Sequence, residues 1–172
     1  MLNRKFLLYL CFFLIPACTP KYDQADERSN NNELAKCDII SYNSKLERLT
    51  GKDFALKMFL AADTVQTKRK TYHLLDATLK QRLGYGMVNP KDFQNISNKI
   101  AECFYTNRKI ITSDIPEYFE KMKELTKNIK QKEALIKAYS AWDVYVDQPP
   151  HIDDIEKKTR FETALAFYKN IL

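Results

Sequence analysis

From Leu34 to the end of the chain, apolar residues return every three or four positions, the period at which a helix turns one face to a core. Ile39, Tyr42, Leu46 and Leu49 keep that spacing and predict a first helix. Thr50-Gly51-Lys52-Asp53 reads as a fresh start. Phe54, Met58, Val65, Tyr72, Leu75 and Leu79 then fall on or near one face, with a break expected around Asp63-Thr64. Gly84 is placed to end that helix in the left-handed conformation that glycine tolerates, which leaves "GYGMV" as a loop.

Asn89-Pro90 predicts the next start, with the asparagine as cap and the proline in the first turn. Phe93, Ile96, Ile100 and Cys103 follow on one stripe. Asp114-Ile115-Pro116-Glu117 resembles a capping box and opens a helix expected to run to Asp147, with Tyr118, Met122, Leu125, Ile129, Ile136 and Tyr139 as its apolar face. Pro149-Pro150 stops it. A last helix from about Asp153 carries Phe161, Leu165, Tyr168 and Leu172. The expected fold is all-α: a bundle of five or six mostly antiparallel helices over residues 34–172. No segment repeats at a fixed period, so a solenoid is not indicated.

The first thirty residues follow a different pattern. Arg4 and Lys5 precede an apolar run from Phe6 to Ile15, about half of the ~20 residues a helix needs to span a bilayer. The run closes on Ile15-Pro16-Ala17-Cys18, which resembles the signal of bacterial lipoproteins, with Pro16 standing where a small residue is usual. The resemblance implies removal of residues 1–17, acylation of Cys18 and a membrane partner held through the lipid anchor. Thr19 after the lipid site implies passage to the outer membrane, facing the periplasm. Ordinary cleavage after Ala17 and an uncleaved anchor are the alternatives. Residues 18–33 then form the lipidated cysteine and a tether. Its polar stretch, "TPKYDQADERSNNNE", has too little to bury to repay ordering and reaches roughly 20 Å on average.

Charge and cysteine use narrow the picture. Net charge is +6, and +4 once Arg4 and Lys5 leave with residues 1–17. So mild and interspersed a charge on an exported chain argues against nucleic acid. Cys37 and Cys103 are expected to pair in an oxidising compartment, stabilising the fold by about 4 kcal/mol on the chain-entropy model. The alternative is two buried thiols.

Candidate chemistry is sparse. His73 with Asp76, and His151 with Asp153 and Asp154, fall short of the three or four ligands of a zinc site. The sequence has neither a phosphate loop nor a nucleophile elbow, and no cofactor, metal or catalytic residue is assigned. Lys68-Arg69-Lys70 reads as a solvated helix face or as a contact for anionic headgroups. In "AYSAWDVYVDQPP", Tyr139, Trp142 and Tyr145 are the partner-binding candidates, because Tyr and Trp concentrate binding energy at interfaces. Burial against the last helix is the competing reading, and it would withdraw that site. The expected function is a non-enzymatic, lipid-anchored periplasmic protein that binds an unidentified envelope or periplasmic protein. It would serve as an immunity protein or as an envelope or secretion assembly factor. The alternative is a cell-envelope hydrolase with an unidentified site.

Overall fold

The structure is a computed structural model and describes residue 31, residues 33–42, residue 46 and residues 49–172. The expected signal peptide, Cys18 and the expected tether apart from residues 31 and 33 lie outside the described residues. Among the described residues there are five long helices and no strand: α1 (Gly51–Gly84), α2 (Pro90–Thr112), α3 (Ile115–Leu125), α4 (Ile129–Val146) and α5 (Ile155–Asn170). None of them is long and apolar enough to cross a membrane.

Each start has a local cause. Thr50 accepts from the Asp53 backbone N–H, Asn89 from that of Asp92, and Asn128 from that of Gln131. Asp154 accepts from two, Glu156 and Lys157, and so opens α5. Satisfying these otherwise unpaired N–H groups, each cap contributes about 1 kcal/mol. Pro90 occupies the first turn of α2, where its missing N–H costs nothing.

The expected break at Asp63-Thr64 is absent, and α1 runs unbroken for 34 residues. The Thr64 hydroxyl donates to the Leu60 carbonyl, one turn back, and stays within the helix. Gly84 closes α1, but the left-handed residue is Gly86, with φ 71°. Gly51 meets a different demand. A Cβ there would lie 2.4 Å from Leu172 Cδ2, so a larger residue at this position would push the Leu172 side chain aside.

Two larger expectations fail. The segment around Ile39 and Tyr42 is not helical: residues 36–42 lie in irregular backbone, and so do Leu46, Leu49 and Thr50. The helix expected from Asp114 to Asp147 is instead two, interrupted at Thr126–Asn128. Asp114 does not cap α3, because its carboxylate turns to Lys57 at 2.6 Å, and Glu117 pairs with Lys121. The bend between α3 and α4 also removes Leu125 and Ile129 from the core, leaving them 59% and 75% exposed.

The helices pack as α1 against α2, α4 against α5, and α1 against α3, α4 and α5. The α1–α2 and α4–α5 pairs are joined by short connections and so run antiparallel. The main core gathers Phe54, Met58 and Val65 of α1, Leu135 and Trp142 of α4, and Phe161, Leu165 and Tyr168 of α5. A second, smaller cluster of Leu79, Val88, Ile96 and Ile100 fills the far end of the α1–α2 hairpin.

Candidate functional site

The aromatic residues of α4 are core. Trp142 is 1% exposed, and its indole N–H donates to the Met58 carbonyl at 3.0 Å. That carbonyl has a second lone pair free, so a turn of α1 is pinned without losing its helical bond. Tyr145 is 2% exposed, stacks with Phe161 and donates from its hydroxyl to Gln66 Oε1 at 3.0 Å. Tyr139 is half-buried, flat against Phe119 with ring centroids 3.8 Å apart. The partner site expected at Tyr139, Trp142 and Tyr145 is therefore withdrawn: those rings are spent on joining α4 to α1, α3 and α5.

The basic run also changes meaning. Lys70 is exposed, whereas Arg69 is fully buried. Its guanidinium donates to Gln66 Oε1 at 2.7 Å and to the Gln148 carbonyl at 3.4 Å. It also lies 5.9 Å and 5.6 Å from the ring centroids of Phe104 and Tyr145. Among the described residues Arg69 makes no ion pair, and burial holds its pKa below the ordinary guanidinium range. The nearest compensation is indirect. Gln66 Oε1 takes both Arg69 and Tyr145, while its amide N–H donates to Asp153 at 3.2 Å. One oriented amide thus ties α1 and α4 to the residues that lead into α5.

Cys37 and Cys103 form a disulfide, with Cα atoms 5.4 Å apart. Beside it, Asn107 is buried on α2 and works as a clamp for the irregular segment. Its Oδ1 accepts from the Ile40 N–H at 3.0 Å, and its Nδ2 donates to the Asp38 carbonyl at 3.2 Å. Between this segment and the α1–α2 hairpin lies a hollow of about 190 Å³ bordered by Leu34, Lys68, Tyr72, Ile100 and Asn107.

The carboxylates beside the two histidines are engaged elsewhere. Asp76 pairs with Lys80, Asp153 accepts from Gln66, and Asp154 caps α5. No group of three potential ligands exists among the described residues. The carboxylates of Glu117 and Asp154 are held below their usual range, the first mainly by the Lys121 ammonium and the second mainly by the Lys157 backbone N–H. The largest shift belongs to Tyr168, whose hydroxyl is pushed up to about 12 by burial and has no hydrogen-bond partner among the described residues.

What remains open to solvent differs from the expectation. On α1, Leu56, Phe59 and Leu60 are each about half exposed, and their spacing of three and four puts them on one face. Phe59 also borders a shallow hollow of about 130 Å³ floored by Ala62, Tyr145 and Phe161, with Asp63, Lys158 and Glu162 at the rim. An apolar centre with a charged rim of both signs is the usual anatomy of a protein-binding patch. The sequence held the sign of it: Leu56, Phe59 and Leu60 fall off the face shared by Phe54, Met58 and Val65. Comparison of the chain with protein-family models, with curated proteins and with solved structures finds no match.

Proposed function

We propose that this chain is a lipid-anchored periplasmic protein, held through Cys18 in the outer membrane, that acts by binding another protein of the envelope. Its role would be that of an immunity protein or of an envelope or secretion assembly factor. The observation that supports the compartment most directly is the Cys37–Cys103 disulfide, since such bonds persist in oxidising surroundings. The lipobox-like Ile15-Pro16-Ala17-Cys18 agrees with it.

Support for binding comes from Leu56, Phe59 and Leu60, three large apolar side chains left in water on one helix face. They replace Tyr139, Trp142 and Tyr145 as the partner surface. The test is cross-linked recovery of partners from cells that make the full chain, its Cys18→Ser form, or a Leu56→Asp, Leu60→Asp double variant. The expected result is one protein enriched by the native chain and lost with the double variant, whose substitutions lie on an exposed face and leave the core intact. Enrichment that ignores the double substitution would remove this surface. Absence of any enriched protein would remove the binding role itself.

A further inference from the structure

We propose that the loop joining α1 to α2 is the face this protein lays on the bilayer surface, with Tyr85 and Met87 as its interfacial side chains. The inference rests on the lipid-anchored reading above and adds the orientation of the domain. It begins with where the chain enters the fold. Asn31 is tied to this loop: its Oδ1 accepts from Arg82 Nη1 at 2.8 Å, and its Nδ2 donates to the Met87 carbonyl at 3.3 Å. Only positions 19 to 30 stand between it and Cys18. Even fully extended, that separation spans at most about 45 Å, whereas α1 alone is about 50 Å long. An anchor on Cys18 therefore keeps the α1–α2 loop within about 45 Å of the membrane surface and excludes an upright domain with the Gly51 end of α1 on the bilayer, and the chemistry of the loop selects its contact.

The loop has the chemistry for that position. Gly86 takes φ 71° and makes the turn, and Val88 points into the small core, so neighbouring Tyr85 and Met87 are left outward at 69% and 41% exposure. A ring with a polar tip suits the headgroup level, and a flexible thioether side chain adapts to irregular apolar surroundings. From Asp76 to Asp92 the chain carries Lys80, Arg82 and Lys91 against Asp76 and Asp92, a net charge of +1 that suits anionic headgroups. Lys80 also pairs with Asp76. Such a contact is weak by itself, but a lipid on Cys18 would make it intramolecular and raise the effective concentration of the loop at the surface. The arrangement also leaves Leu56, Phe59 and Leu60 free, since Leu60 and Tyr85 are separated by about 40 Å of helix.

The test uses the full chain, purified from membranes with its lipid and returned to vesicles of phosphatidylethanolamine with a minor share of phosphatidylglycerol, their acyl chains brominated. Tyr85→Trp reports the loop. Ile129→Trp reports the opposite end, where α4 begins beside the C-terminus: Gln131 donates to the Ile171 carbonyl, and Leu172 rests on Gly51. Both positions are exposed, so neither change disturbs packing, and buried Trp142 is a common reference in both proteins. The expected result is a blue shift and bromine quenching of the Tyr85→Trp protein, with the Ile129→Trp protein emitting as in unbrominated vesicles. A lipidated Tyr85→Trp protein that is quenched no more than Ile129→Trp overturns the loop contact while the anchor stands. A mass without acyl groups on Cys18 removes the anchor, and the loop's orientation falls with it. Loss of quenching on addition of an envelope protein extract would show that the loop serves a protein partner, and would likewise overturn the lipid contact.

Discussion

The two ends of α1 are held by different means. Around its first half, twenty buried residues from α1 to α5 form one core, anchored by Trp142, Phe54 and Tyr168. Around its second half, among the described residues, Leu79, Val88, Ile96 and Ile100 are buried together, with Leu34, Leu75 and Phe93 packed at the edge. Burial of apolar area is worth about 25 cal/mol per Å², so a four-residue cluster cannot order its surroundings as a twenty-residue one does. The Cys37–Cys103 bond and the Asn107 clamp sit where the two clusters meet, sharing a hollow with Leu75 and Ile100 on one side and holding Ile40 against the main core on the other. Covalent and hydrogen-bonded fastening is placed where hydrophobic fastening thins, as in small secreted domains that cannot build enough core.

The sharpest way to break this division is to remove each fastening in turn. Trp142→Ala empties the centre of the main core and also drops the bond to the Met58 carbonyl. It should cost about 3–5 kcal/mol and lower protection from hydrogen exchange in all five helices. Replacing Cys37 and Cys103 together by serine should cost about 2–4 kcal/mol in denaturant unfolding. Its exchange should rise first in residues 34–42 and at the α1–α2 loop, with α4 and α5 unchanged. Equal effects of the two variants on all helices would show that the ends are one cooperative unit.

Alkaline titration probes the main core from another side. The Tyr168 hydroxyl has its pKa raised from 10.0 to about 12 by burial. The folded state keeps a proton that the unfolded chain has lost, so its stability contribution is complete below about pH 10. It declines as pH rises through 12, by about 3 kcal/mol in all. Tyr168→Phe should remove that share of the alkaline loss. Near neutral pH it should change stability little, because the hydroxyl has no partner to lose. An unchanged pH profile in this variant would mean that other tyrosines, such as Tyr145, account for the loss.

The smallest effect is expected where the structure looks most costly. Arg69 is a buried cation without a paired carboxylate among the described residues, stabilised by Gln66, the Gln148 carbonyl and two rings. Arg69→Met keeps most of the volume and removes the desolvation penalty. It should shift stability by no more than about 1 kcal/mol, in either direction. A loss several times larger would show that the Gln66 relay from Arg69 and Tyr145 to Asp153 is a main fastening between α1 and α5.

Much of this was legible in the chain, and the misses share a cause. Asn89-Pro90, Ile96 with Ile100, and Phe161 with Leu165 and Tyr168 read correctly because cap and stripe are both local. Ile39 and Tyr42 have the same spacing and lie outside any helix, because a disulfide and an asparagine on α2 hold the backbone of that segment in place. The interruption after Leu125 had a local sign that periodicity overrode: Asn128 followed three residues later by Gln131 is a start signal inside what looked like one long helix. Trp142 and Tyr145 were expected at the surface and are buried, because aromatic residues serve cores and interfaces alike.

What the sequence determines by itself is the class of fold, most helix starts and a lipobox-like start, and it makes Cys37 with Cys103 the expected pair. These depend on caps, periods and residue types that act over a few positions. Which apolar residues face outward, where Arg69 finds its counterpart, and which loop meets the entering chain were decided only by tertiary packing. They depend on residues up to eighty positions apart, and short-range pattern has no term for that distance.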